Sequence, residues 1–167
     1  MDAALLFVRL VVGLAIAAHG AQKLFGWFGG YGLAGTGGFF EGLGFRPGRV
    51  FAFFAGLGEA GGGALIALGL GGALGPALVV VVMLVAIFTV HITKGFFITN
   101  GGWELNAIYI AAVVEIAYVG FGAYSFDRAI GFAYLSSAQA ATVLMIAAIV
   151  LAALNLLVRR SAPQQTT

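Results

Sequence analysis

Charge and cysteine are what this sequence most clearly lacks, and each shortage excludes a class of protein. Only 8% of the 167 residues are charged and 62% are hydrophobic, whereas about a quarter of an ordinary soluble domain is charged. A chain with so little polar surface cannot cover a water-soluble globule. The absence of cysteine excludes disulfides, cysteine metal sites and a thiol relay carried by this chain. We therefore predict an integral membrane protein whose chemistry depends on few polar side chains.

The sequence argues against two other interpretations, a nucleic acid-binding protein and a cleaved signal peptide. The net charge is only +2 and the basic residues are scattered, so nucleic acid is excluded as a partner and the lipid bilayer is the expected one. Ala15 and Ala17 have the small-residue spacing of a cleavage site. However, Asp2 and Arg9 lie ahead of them, and the apolar run continues into an aromatic cluster. The pattern favours a retained first helix.

Long apolar runs separated by glycine-rich turns make up most of the chain. A helix of about 20 residues spans a ~30 Å hydrocarbon core, and Gly58 and Gly62 form a small-xxx-small pair that permits close helix contact. Five runs of suitable length occur, over 3–22, 50–70, 76–97, 103–122 and 133–158. We predict an all-α membrane protein: a four-helix transmembrane bundle over 1–128, a fifth C-terminal transmembrane helix over 129–158 and a disordered tail over 159–167.

The positions of lysine and arginine predict the orientation. With five spans, one side of the membrane holds six basic residues, and the other holds Arg128 together with Arg9 inside its helix. Cytoplasmic loops carry the excess of positive charge, so the N-terminus is expected outside and the C-terminus in the cytoplasm. The six residues are Lys23, Arg46, Arg49, Lys94, Arg159 and Arg160.

A polar stretch begins where the first apolar run ends, at His19 to Gly30. His19, Gln22 and Lys23 fall at i, i+3 and i+4 and so share one helix face. Trp27 follows among glycines, as is typical of a membrane interface. The alternative for His19 is a neutral ring that only hydrogen-bonds to a carbonyl or to Gln22 and holds two helices together.

Comparison of depths along alternating helices brings other polar residues to the same half of the membrane. Glu59, His91 and Glu104 are all expected on the cytoplasmic side with His19. Ionisable groups inside a membrane are functional candidates. We predict His19 and Glu59 as catalytic residues, and a substrate-binding set of Gln22, Lys23, Trp27, His91 and Glu104. These side chains have no metal-ligand spacing, and two histidines are weak evidence for haem, so no metal site is predicted.

Arg9 and Glu115 lie at similar depth in the other half of the membrane. An unpaired charge in hydrocarbon costs ~3 kcal/mol on insertion scales, so the two are expected to form a structural ion pair. The alternative is that Arg9 extends to the interface and Glu115 is protonated.

Several of these motifs resemble the DoxX family. The resemblance covers Arg9, the whole run from His19 to Gly30, and Glu59 with the glycines after it. Further matches are His91 with Gly95-Phe96-Phe97, Gly101-Gly102-Trp103-Glu104, and Tyr124-Ser125-Phe126-Asp127. The fifth apolar run departs from the usual four-span pattern and would dock beside the bundle or mediate assembly.

The resemblance implies a helical bundle in the inner membrane of a bacterium or archaeon. Some family members are linked to quinone-coupled oxidation of reduced sulfur compounds or to complexes that handle oxidative stress, so the first hypothesis is a quinone-binding subunit of a membrane redox complex. It would act with a redox partner subunit or as a homo-oligomer. The alternatives are a non-catalytic scaffold or assembly factor and a small proton- or ion-coupled transporter.

Overall fold

A computed structural model describes residues 1–160 and consists of helices joined by short turns. The last seven residues of the predicted disordered tail lie outside the described part. Within the described residues no strand occurs. The helices are α1 Asp2–Phe25, α2 Gly32–Gly42, α3 Gly48–Leu68, α4 Leu74–Ala86, α5 Glu104–Val119, α6 Phe126–Ile130 and α7 Ala138–Leu157. Helix α4 continues through a π turn and a 3-10 turn to Lys94, and 3-10 turns also cover Trp27–Gly29 and Ile98–Asn100.

Four helical segments in the described part are long and apolar enough to cross a membrane: α1, α3, Leu74–Lys94 and α7. Helix α5 has 16 residues, or about 24 Å at helical rise. It begins at Glu104, whose backbone N donates to the Phe96 carbonyl (2.8 Å). It ends at Val119, because Gly120 leaves helical geometry at φ 85°. Helix α5 is thus not among the candidate spans, and only four remain in the described part. A fifth C-terminal transmembrane helix is therefore not confirmed, because α7 is the fourth of these four spans.

Helices α1 and α3 run antiparallel with their backbones in contact. A Cβ on Gly20 would lie 2.2 Å from the Ala60 nitrogen, and one on Gly63 would lie 2.5 Å from the Ala17 nitrogen. Only glycine at these positions permits such an approach. The predicted role of Gly62 in close helix contact is confirmed against α4, because its Cβ would meet the Gly75 carbonyl oxygen at 2.9 Å.

The remaining helices complete an apolar core. Helix α4 packs between α3, α5 and α7, and the side chains it buries include Val79, Val80 and Met83. The outward faces of α1 and α7 remain apolar, with Leu14 59% and Ile146 57% exposed. An exposed face of this composition suits lipid rather than water, as expected of an integral membrane protein.

The two ends of the bundle differ in charge. Helices α1 and α7 finish, and α3 begins, at one end, which we call the basic end. Arg160 N donates there to the Gly44 carbonyl (3.0 Å). The opposite end, where α1 begins, is held together around Arg9 and Asp127, both of which are buried.

Candidate functional site

The polar stretch after α1 folds back on its own helix. Gly26 ends α1 in the left-handed conformation (φ 74°), and the chain turns through Trp27–Gly29. Gly30 then lies directly on Gln22: a Cβ there would be 2.4 Å from the Gln22 carbonyl oxygen. Glycine is needed at both points, first for the backbone conformation and then for the close approach.

Lys23 and Glu59 form an ion pair between α1 and α3. The side chain of Glu59 is 4% exposed and that of Lys23 28%. The glycine contact at Gly20 brings the helices close enough for this short connection. No other ion pair occurs in the part of the chain that the structure describes. Removing one partner of a buried pair leaves an uncompensated charge, so each residue depends on the other.

His19 and Gln22 form a second polar connection on the same face of α1. Gln22 Nε2 donates to the Phe28 carbonyl (3.2 Å), so its Oε1 faces His19 Nδ1 at 3.1 Å. An amide oxygen only accepts, so Nδ1 carries the proton in this contact. A neutral His19 then keeps Nε2 as an acceptor, and the turn after α1 fixes the orientation of the ring.

Tyr109 on α5 joins these residues, although its sequence context did not single it out. Its ring meets that of His19 edge to face, with centroids 6.3 Å apart, and it lies within electrostatic range of Glu59. Tyrosine is uncharged at neutral pH, and Tyr109 is surrounded by apolar residues in the sequence. The pattern alone does not distinguish it from a core aromatic, whereas its depth, similar to that of His19, would have been the available signal.

A groove opens beside these polar residues, between the end of α1 and α2. Its volume is about 560 Å³. Thr36 on α2 donates to the Lys23 carbonyl (3.4 Å) and so joins the two walls. Glu59 lies behind Lys23 rather than in the lining. The groove is lined by His19, Gln22, Lys23, Gly29, Gly30, Tyr31, Gly35, Thr36 and Phe39.

Three predicted binding residues lie outside this groove. His91 Nδ1 donates to the Gly101 carbonyl (2.7 Å), and Glu104 accepts from Ile98 N (2.9 Å). Both contacts hold the loop between α4 and α5. Trp27 packs on Phe25 with ring centroids 5.1 Å apart. Among residues 1–160, no three His, Asp or Glu side chains are grouped closely enough to hold a metal ion.

The structure does not join Arg9 to Glu115, so the predicted pair was wrong. Arg9 donates to the carbonyls of Phe121, Tyr124 (3.0 Å) and Ala67 (3.3 Å). Glu115 is exposed and lines a cleft between α1 and α5 beside Leu5 and Val8. Equal depth does not fix the rotation of each helix about its own axis: Arg9 is buried against backbone carbonyls, whereas Glu115 is exposed.

The charge near Arg9 is Asp127, which the sequence placed only in a polar connection. Asp127 is 5% exposed and lies within electrostatic range of Arg9. Its carboxylate accepts from Gly71 N (2.8 Å) and Gly72 N (2.7 Å) in the turn between α3 and α4. This turn therefore gains an anion that two backbone donors and a guanidinium stabilise.

Comparison with known proteins identifies one match. A family model described as DoxX matches residues 4–92, which is more than half of the chain. The matched region contains His19, Lys23 and Glu59, while Tyr109 lies beyond it. No curated protein and no solved structure matches the chain.

Proposed function

The chain belongs to the DoxX family, and from that premise we propose that it binds a membrane quinone in the groove between α1 and α2, as a subunit of a membrane redox complex. One observation carries the proposal: Lys23, paired with the buried Glu59, stands beside His19 in the wall of a groove in an otherwise apolar bundle. The groove volume of about 560 Å³ falls within the range of ~300–1,000 Å³ that is typical of small-molecule sites.

The residues of the groove fit a quinone headgroup. A quinone ring presents two carbonyl oxygens, which need donors, and an apolar face, which needs aromatic contact. Lys23 has three N–H donors and uses one on Glu59, so the others are available to a ring oxygen. Phe39 and Tyr31 line the same groove and offer rings for stacking.

Reduction of a quinone to its hydroquinone consumes two electrons and two protons. The electrons would come from a partner subunit that oxidises a reduced sulfur compound. In this chain, Lys23 would hold a ring oxygen and His19 would exchange a proton with it. Glu59 would relay protons and offset the charge of Lys23 throughout.

We also propose the topology predicted from the sequence, in the inner membrane of a bacterium or archaeon. Helix α5 runs from the loop beside Lys94 to the Arg9 end, since the Phe121 carbonyl that follows it accepts from Arg9. It would thus be a short crossing, the fourth of five in chain order, with α7 as the fifth. The basic end would face the cytoplasm, with the N-terminus outside.

Quinone binding by the purified full chain tests the proposal. A soluble short-chain ubiquinone is titrated against the protein in nanodiscs, and quenching of Trp27 and Trp103 fluorescence reports binding. We expect saturable binding that His19→Ala and Lys23→Gln weaken by about tenfold, or ~1.4 kcal/mol. His91→Ala is the matched control, because His91 lies outside the groove. Absence of saturable binding, or equal affinity of all four proteins, contradicts the proposal.

A non-catalytic scaffold or assembly factor is the second candidate. It is favoured by the fact that the charges of Lys23 and Glu59 satisfy each other, as a purely structural contact requires. In that case the chain binds no quinone. Glu59→Gln then lowers both the thermal stability of the chain and the yield of any partner subunit that copurifies with it. Quinone titration and partner yield, measured on the same samples, separate the two functions.

A further inference from the structure

We propose that four exposed arginines at the basic end bind the phosphate headgroup of an anionic phospholipid. This arginine cluster consists of Arg46, Arg49, Arg159 and Arg160. It lies outside the groove between α1 and α2, and no part of the proposed quinone site uses it.

The end of α7 brings Arg159 and Arg160 to the loop that carries Arg46 and leads into the first turn of α3, where Arg49 lies. Arg160 N donates to the Gly44 carbonyl (3.0 Å), and Arg159 Nε donates to the Leu43 carbonyl. A Cβ on Gly44 would lie 2.0 Å from the Arg160 carbonyl oxygen, so the two segments are in direct contact. Arg46 follows Gly44 by two residues and therefore lies near the same point.

Arg49 is held at this end by its aliphatic stem. Its Cγ would lie 2.7 Å from a Cβ on Gly37, so the stem packs on α2 while the residue remains exposed. Glu41 is the nearby carboxylate, and its Oε1 accepts from Gly48 N (3.2 Å). In the described part of the chain Glu41 forms no ion pair with an arginine. The cluster thus keeps an excess of positive charge.

Phosphate is the chemistry that such a cluster recognises. A guanidinium presents paired N–H donors that match two phosphate oxygens. Even Arg159, which uses Nε on a carbonyl, keeps the terminal nitrogens of its guanidinium. Basic clusters at the end of membrane helices typically bind anionic lipid headgroups.

Exposed apolar side chains directly beside the cluster favour a lipid over free phosphate. Phe53 lies one helical turn beyond Arg49 on the same face of α3 and is 43% exposed. Leu157, 79% exposed, is the last residue of α7 and precedes Arg159 by two residues. At helical rise Phe53 lies about 6 Å deeper than Arg49, and Leu157 about 3 Å deeper than Arg159, where acyl chains begin. Headgroup and chain contacts are therefore contiguous.

Lipid retention by the full chain tests this inference. The protein is purified in detergent and mixed with equal amounts of dioleoyl-phosphatidylglycerol and dioleoyl-phosphatidylcholine, and native mass spectrometry counts the lipids retained. We expect about tenfold more phosphatidylglycerol. Arg46→Gln/Arg49→Gln should abolish this preference. Lys94→Gln/Arg128→Gln, which removes the same charge elsewhere, should preserve it.

Three results would overturn the inference. The first is equal retention of the two lipids by the unaltered chain. The second is an equal loss in both double variants, which would show an effect of net charge alone. The third is displacement of phosphatidylglycerol by millimolar inorganic phosphate, which would identify a free-phosphate site. None of these results bears on quinone binding, because the variants leave the groove unchanged.

Discussion

Lys23 at the end of α1 and Glu59 in the middle of α3 neutralise each other across the close contact between these two helices. The carboxylate is almost fully buried, whereas the ammonium borders the groove. An ion pair of this kind constrains both partners, because either charge alone would be left without compensation. The pair thus connects the packing of α1 and α3 to the chemistry of the groove.

Glu59→Gln should destabilise the fold through the charge left on Lys23. Removing one partner of a buried ion pair costs at least about 3 kcal/mol. We expect a loss of stability near this lower limit, because Lys23 is partly exposed. Thermal unfolding in detergent, followed by tryptophan fluorescence, measures the change. Lys94→Gln, which removes an exposed charge, should be neutral. If Lys23→Gln/Glu59→Gln is as damaging as the sum of both single changes, the two residues are not coupled.

Gly20→Ala should destabilise the contact between α1 and α3, although alanine is the better helix former. The added Cβ would lie 2.2 Å from the Ala60 nitrogen, and overpacking costs about 1–3 kcal/mol. Gly61→Ala is the matched control in α3, because nothing lies within 4 Å of its Cβ position. That variant should gain up to ~1 kcal/mol from helix propensity. Equal unfolding temperatures for the two variants would refute close packing at Gly20.

Asp127→Asn should weaken the end of the bundle around Arg9. The amide offers one acceptor to the two donors of Gly71 and Gly72, so about 1–3 kcal/mol is lost. A double-mutant cycle with Arg9→Gln should show coupling, whereas Arg9→Gln combined with Glu115→Gln should be additive. Unfolding free energies of the single and double variants provide both cycles. If Arg9 were coupled to Glu115 and not to Asp127, the ion pair predicted from the sequence would be correct.

Gly30→Ala should reduce quinone binding more than it reduces stability. Its Cβ would displace the turn from Gln22 and break the contact between Gln22 and Phe28 that orients His19. We expect about a tenfold weaker affinity in the fluorescence titration described above. Gly38→Ala on α2 has open space at its Cβ position and should bind normally. Equal quinone affinities of the two variants would show that binding in the groove does not depend on this turn.

Local pattern accounts for much of the fold and for one wall of the candidate site. The periodicity of α1 placed His19, Gln22 and Lys23 on one face, and all three line the groove. Glycine positions predicted close helix contact, as Gly62 shows. These features depend on spacing within a single helix, which the sequence contains in full.

The partners of these residues were decided by the tertiary structure. Depth along the membrane suggested Arg9 with Glu115, and His91 and Glu104 with His19. The structure instead places Arg9 near Asp127, and uses His91 and Glu104 to hold a loop. Tyr109 contacts His19 in the structure, although no charge marked this residue as a candidate in the sequence.

The sequence by itself determined that this chain is an apolar helical membrane protein with a polar stretch from His19 to Gly30. Only the tertiary structure decided that Lys23 pairs with Glu59 and that a groove opens beside them. The reason is geometric: helical spacing specifies angles within one helix, and apolar length specifies depth. The rotation of one helix against another depends on backbone contacts between distant residues, here Gly20 with Ala60.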